Sequence, residues 1–332
     1  MMQRRRLRQH MADAFEVVKT MVPGDTFLLF DHLPYDFEEE LPISVGPNVY
    51  LNDTPQDVLD RADPSLSGFV LPGYHLTGRG LTNCCLGSPG TGERPPGLTP
   101  NDLFFLAITA LRLRAPIGIS VAGGFELGPS DELIRKPTLF SLMSAWQPDS
   151  SARYVSLDVR LAEQITMRMI HIAQNNCKRI TSSLVLFSQV TCGLSKSFQM
   201  SYLALFASLE ALFAPKGNKA VTLARRIAQF LAAFDFPESL KDWLEREYKM
   251  GRNNLAHGLQ DVTPWMEDRV ATSQVLGRLH EVTRLCLLGF MSLDDKKVAL
   301  LSRSEGQRLQ RELDNLIAAS GRFIDGQRMW CS

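Results

Sequence analysis

The chain has 332 residues, and its 36 basic and 36 acidic side chains leave no net charge at neutral pH. That length suffices for one large core or two ordinary ones. The charge balance excludes a global positive field for nucleic acid, so any such surface must be a local patch.

Six scattered cysteines (Cys84, Cys85, Cys177, Cys192, Cys286, Cys331) without Cys-x-x-Cys spacing argue against a zinc cluster and a disulfide framework, and fit a reducing cytoplasm. The N-terminal run Gln3-Arg4-Arg5-Arg6-Leu7-Arg8 is basic like the start of a secretory leader. The next dozen or so residues are amphipathic, with Asp13, Glu16 and Lys19 in place of an apolar stretch, and read against export. The longest strongly apolar run, Leu285 to Met291, falls far short of the roughly 20 residues of a spanning helix. A soluble, cytoplasmic protein with no membrane partner is the expectation.

In chain order, the first 156 residues hold most of the prolines and several short apolar runs: Phe27-Leu28-Leu29-Phe30, Val49-Tyr50-Leu51, Phe69-Val70-Leu71 and Ile117-Gly118-Ile119-Ser120-Val121. Bounded by Gly, Pro and Asn, these read as short strands. Thr54-Pro55-Gln56-Asp57 and Thr99-Pro100-Asn101-Asp102 each set a capping Thr before a first-turn Pro and an acid, which predicts helix starts. Residues 83–98, rich in Gly, Pro and Ser, read as a mobile surface loop. Gly87, Gly90 and Gly92 there mimic a phosphate loop, but the prolines and the missing Gly-Lys-Ser/Thr ending tell against one. The expected architecture of residues 1–156 is a mixed α+β region of unknown role.

Residues 157–332 change texture to long helical patterns, which predicts an all-α bundle and a mainly α chain overall. Helices are expected near 158–177, 180–192, 197–213, 219–234, 237–257, 264–293 and 305–320. Thr263-Pro264 repeats the helix-start signature, and Gly258 fits a C-cap. The segment Ser197 to Pro215 carries one charge, Glu210, in a helix apolar around most of its circumference, as suits the middle of a bundle. A carboxylate there needs a cation, for which Arg225, Arg226 or Arg252 is available, or else it reaches water near the helix end.

On the helix expected over 237–257, Leu240, Leu244, Tyr248, Gly251 and Leu255 stack on one buried face. Arg252 falls at the edge of that stripe, and Asn253 and His257, four apart, point away from it. An arginine can neutralise a phosphate and an imidazole titrates near neutral pH, so Arg252, Asn253 and His257 together could cleave a phosphodiester without a metal. The same residues have a structural account: Arg252 pairs with an acid, and His257 bonds locally at a helix C-terminus. The spacing alone recurs in Arg5-Arg6-Leu7-Arg8-Gln9-His10. The basic runs Arg4 to Arg8, Lys216 to Lys219 and Arg225-Arg226 read as solvated faces. His32 and His75 lie near no recognisable nucleophile motif.

The succession of an uncharged helix ending Leu209-Glu210-Ala211-Leu212-Phe213, then Leu223-Ala224-Arg225-Arg226-Ile227-Ala228, then Tyr248-Lys249-Met250-Gly251-Arg252-Asn253-Asn254-Leu255-Ala256-His257-Gly258 resembles the Apea-like branch of the HEPN superfamily. The resemblance covers about residues 180 to 295 and is most specific at Arg252-Asn253 and His257-Gly258. It implies a helical bundle that forms homodimers and, in many members, a ribonuclease that needs no metal or other cofactor. Carried over by position, the implied catalytic residues are Arg252, Asn253 and His257, and the implied partners are RNA and a second copy of the chain; Glu210 and Tyr248 are expected as supporting residues. Other members are binding modules without activity. A role in prokaryotic defence is likewise an expectation from the family.

Overall fold

The structure, a computed structural model, describes residues 21–36, 41–55, 58, 84–136, 153–191, 197–236, 238–256 and 269–318. It is mainly α with a sheet region, and it divides into two compact units. The first comprises Met1–Arg112, Ile117–Leu142 and Asp149–Thr166; the second comprises Leu113–Pro116, Met143–Pro148 and Met167–Ser332.

The first unit is built on an antiparallel sheet of strands β1 (Thr26–His32), β2 (Ile43–Gly46), β3 (Val49–Asp53), β4 (Cys84–Ser88), β5 (Ser120–Leu127) and β6 (Leu133–Lys136), in the order β2-β3-β4-β1-β5-β6. β1 lies inside the sheet, pairing Thr26 with Ser88 of β4 and with Glu126 of β5. Its apolar run does not alternate because Phe27, Leu28, Leu29 and Phe30 are all buried, as befits a strand covered on both faces. Phe27, Leu29, Val58, Cys85 and Phe125 form one core cluster, with Met21, Ala122 and Leu133 packed against it.

Two expectations change here. Residues 84–88 are not loop but strand β4, buried throughout between β3 and β1. Cys-Cys-Leu-Gly-Ser reads locally as turn chemistry, but neighbours on both edges satisfy its backbone, and small side chains suit a closely packed interior strand. The following turn is also fastened: Gly90 N–H donates to Asp25 Oδ1 at 2.9 Å, and Asn48 Nδ2 donates to the Pro89 carbonyl at 2.9 Å. The strand expected at 117–121 instead begins at Ser120 and runs on to Leu127. The strand expected at 69–71 and nearly all of the helix expected after Thr54 lie outside the described residues. The helix expected after Thr99 is α1 (Pro100–Arg114). Its start is a reciprocal cap: Asp102 N–H donates to Thr99 Oγ1, and Thr99 N–H donates to Asp102 Oδ2.

Helix α2 (Ser156–Gln174) carries the chain from the first unit into the second. Next come α3 (Lys178–Thr191), α4 (Phe198–Phe213), α5 (Lys219–Phe230), α6 (Leu240–Arg246), a π-helical turn (Glu247–Arg252), α7 (Asn253–Ala256), α8 (Arg269–Met291), α9 (Asp295–Arg303) and α10 (Gly306–Ala318). α4 packs against α3 and α8, burying Tyr202, Leu205, Phe206, Leu209, Leu212 and Phe213. The close approach of α3 is fixed by Ser183 and Ser208, whose hydroxyls lie 2.6 Å apart. Phe213 meets Phe230 and Phe290 edge-on, with ring centroids 5.5 and 5.2 Å away. Helix α9 was not expected from the sequence, although Asp294 caps it by accepting the Lys297 N–H at 2.9 Å.

Of the pair Arg225-Arg226, Arg225 is exposed as expected, but Arg226 is not a solvated side chain. Arg226 is 2% exposed; its Nη1 donates to the Phe213 carbonyl at the end of α4 and its Nε to Asp314 of α10. It satisfies a helix C-terminus and ties three helices together. Among the described residues, no helix is long and apolar enough to cross a membrane.

Candidate functional site

The helix expected over 237–257 is not one regular helix: the chain inserts a π-turn at the motif itself. Asn253 N–H donates to the Tyr248 carbonyl, five residues back. Tyr202 of α4 accounts for the irregularity. Its hydroxyl donates to the Glu247 carbonyl at 2.9 Å and lies 3.1 Å from the Glu247 carboxylate. A phenol that bonds a helical carbonyl competes with the regular ladder and forces the wider turn. Gly251 makes room for it: a Cβ there would fall 2.2 Å from the Tyr202 oxygen and 2.9 Å from its Cζ. Tyr202 and Gly251 were missed as site-forming residues; the one available signal was a glycine isolated inside a helical pattern.

The expected buried face holds for Leu240, Leu244, Tyr248 and Gly251, whereas Leu255, beyond the π-turn, is only half-buried. An extra residue in one turn rotates everything after it, which moves Leu255 off the stripe.

The turn delivers Arg252 to Glu210. Arg252 Nε lies 3.0 Å from Glu210 Oε1, and the Tyr248 hydroxyl donates to the same oxygen at 2.9 Å. Of the three arginines open to Glu210, Arg252 is therefore the partner. The Arg252 guanidinium also lies over the Tyr248 ring, 5.2 Å from its centroid. That ring stands edge-on to Phe206, so the aromatic support is anchored in the core. Burial, and then the Glu210 charge, push the Tyr248 phenol up to about 12, so at neutral pH it is a hydrogen-bond donor and not a base. Burial likewise raises the Glu247 carboxyl, against the lowering hydrogen bond from Tyr202.

Arg252 is half-buried, as expected for the edge of the stripe. Its Nη1 reaches Asn253 Oδ1 at 3.5 Å, and among the described residues its Nη2 has no partner. The geometry thus brings together Arg252, Asn253, Glu210 and Tyr248. His257 lies outside the described residues. Arg252, Asn253, Tyr248 and Lys249 form one wall of a cleft of about 440 Å³, and Gly217, Asn218, Lys219 and Ala220 form the other. Among the described residues, no group of three or more His, Cys, Asp or Glu side chains could hold a metal ion.

Chemically, the arrangement presents a guanidinium held along one edge by a carboxylate and across one face by a ring, with its remaining edge toward a cleft. A charge oriented in this way costs little reorganisation when it meets an anion. In comparisons with known proteins, no family model, curated protein or solved structure matches the chain.

Proposed function

We propose that the chain is an endoribonuclease with an Apea-like HEPN bundle, acting as a cytoplasmic homodimer and cutting RNA through its own 2′-hydroxyl without a metal. Arg252 would bind the scissile phosphate and its developing charge. His257 would serve as general base or acid on the 2′-oxygen or the leaving 5′-oxygen, with Asn253 orienting either group. Two copies of the motif meeting across a dimer would supply both a base and an acid. The products would be a 2′,3′-cyclic phosphate and a 5′-hydroxyl, and DNA would be inert for want of the 2′-hydroxyl.

The observation that carries this reading is the Arg252 side chain: Glu210 and Tyr248 hold it from behind, and its Nη2 edge is unoccupied among the described residues. Glu210 and Tyr248 then act as positioning residues. The test is incubation of end-labelled RNA and its all-deoxy counterpart in EDTA, with product ends identified. Cyclic-phosphate fragments from RNA alone support the mechanism; 3′-hydroxyl ends or equal cleavage of DNA would sink it.

The same ion pair favours a second reading, a non-catalytic bundle that dimerises or docks a partner, with Arg252 there to neutralise Glu210. Thermal melts separate the two. A large loss of stability in Arg252→Ala, together with RNA cleavage absent from the native protein, supports the module. Folded but inactive Arg252→Ala and His257→Ala proteins support the enzyme.

A further inference from the structure

The cleft beside Arg252 is larger than one guanidinium needs, and at about 440 Å³ it falls within the roughly 300–1,000 Å³ of ordinary ligand sites. Of its lining residues, Lys219, Lys249 and Arg252 are cationic and none is acidic. Two of these cations are ion-paired: Arg252 with Glu210, and Lys249 with Glu245 one helical turn away. Lys219 has no ion-pair partner among the described residues.

The opposite wall adds donors to the charge. Asn218 caps α5 by accepting the Val221 N–H, which leaves the first-turn amides of Lys219 and Ala220 without acceptors among the described residues. Gly217 turns the chain into the helix at φ +67°, a conformation that disfavours a side chain, and the space where a Cβ would sit is open. Among the described residues, the cleft therefore combines a lysine without an ion-pair partner, a shared lysine, a fixed arginine edge and amides without acceptors. Among the described residues of the lining there is no aromatic platform for a base, because Tyr248, the one aromatic among them, is 2% exposed. A site with cations and donors but no stacking surface reads phosphate, not bases.

We infer that this cleft is a phosphate subsite that holds the backbone of single-stranded RNA next to the bond cut at Arg252, with Lys219 and Lys249 as its charged contacts. The inference rests on the ribonuclease reading and extends it: it assigns a sequence-neutral grip to residues outside the motif. Single-stranded RNA follows from the pairing of a phosphate-only subsite with a reaction that needs a 2′-hydroxyl on a bendable strand.

The test uses a fluorescein-labelled oligoribonucleotide and the full-length His257→Ala protein, so that binding is measured without cleavage. Anisotropy titrations across a KCl series give the slope of log affinity against log salt. Each phosphate contact contributes about 0.7 to that slope on a single strand. Lys219→Gln and Lys249→Gln should each flatten it by up to about 0.7, and the double variant by more, with little change between unrelated RNA sequences. Lys241→Gln, an exposed lysine on α6 outside the cleft, should leave the slope of the parent. Circular dichroism melts check that every variant is folded. RNA binding with a slope unchanged in the double variant overturns the subsite while the cleavage reading stands on its own assay. Failure of the folded His257→Ala protein to bind RNA at low salt overturns the subsite too, and cleavage by the native protein then decides whether the ribonuclease reading falls with it.

Discussion

Replacing Gly251 with alanine adds one methyl group at the point where α4 reaches the π-turn. The new Cβ would lie 2.2 Å from the Tyr202 hydroxyl oxygen, 2.9 Å from Cζ and 3.2 Å from Cε1. Tyr202 cannot swing away cheaply: it is fully buried, and its ring packs on Phe198 and Phe206 with centroids 5.7 and 5.0 Å apart. Overpacking of this kind costs about 1–3 kcal/mol, and driving the phenol off the Glu247 carbonyl forfeits a hydrogen bond of about 1 kcal/mol. Alanine's better helix propensity returns about 1 kcal/mol. The net expectation is a loss of about 1–3 kcal/mol, read from urea melts followed by circular dichroism, together with lost hydrogen-exchange protection at the amides of Arg252 and Asn253. Tyr202→Phe removes the atom of closest approach, so in the double variant the two losses should add to less than their sum, with a coupling of about 1 kcal/mol. A Gly251→Ala protein as stable as the parent, or more so, would refute the wedge and with it the physical account of the π-turn.

Other outcomes rest on the same geometry. Arg252→Met strands a half-buried carboxylate with only the Tyr248 phenol as donor; between the values for exposed and buried pairs, a loss of about 1–2 kcal/mol is expected. Adding Glu210→Met should recover most of it in urea melts, and a double variant no better than the single one would contradict the pairing. Glu247 is held above its ordinary range by burial, so the folded state binds the proton more tightly than the unfolded one. Its stabilising contribution is complete below the ordinary glutamate pKa of about 4.3 and is lost as pH rises through the folded value. The melting temperature of Glu247→Gln minus that of the parent should therefore grow between pH 4 and pH 7, whereas a flat or falling difference would contradict the burial argument. Asp314→Ala leaves the guanidinium of Arg226 buried with only backbone acceptors. Because Asp314 itself is half-exposed, the expected loss is about 2–3 kcal/mol, somewhat below that of a fully buried pair, with hydrogen exchange opening first in α10.

The sequence reveals those parts of the fold that are decided by period and caps. The helices expected at 180–192, 197–213 and 219–234 correspond to α3, α4 and α5, since each has a helical spacing of apolar residues or, in α4, almost no charge at all. The cap at Thr99 was readable because its chemistry is local. Strand β4 was not, because what makes Cys84–Ser88 a strand is its two neighbours, whose paired residues lie 31 or more positions away in the chain, and not its own composition. The candidate site divides in the same way. Arg252 was identifiable as one of three partners for Glu210 because a carboxylate in an apolar helix demands a cation. The π-turn was invisible, since it is imposed by Tyr202 reaching over from another helix. The charge on Lys219 was noted only as part of a basic run; that it faces Arg252 across a cleft depends on how α5 packs.

The central claim meets its most direct test when native and His257→Ala proteins, both shown to be folded, are incubated with end-labelled RNA in EDTA. Cleavage by the native protein, with its loss in the variant, is the predicted result. Equal cleavage by both proteins, or cleavage by neither, would contradict it.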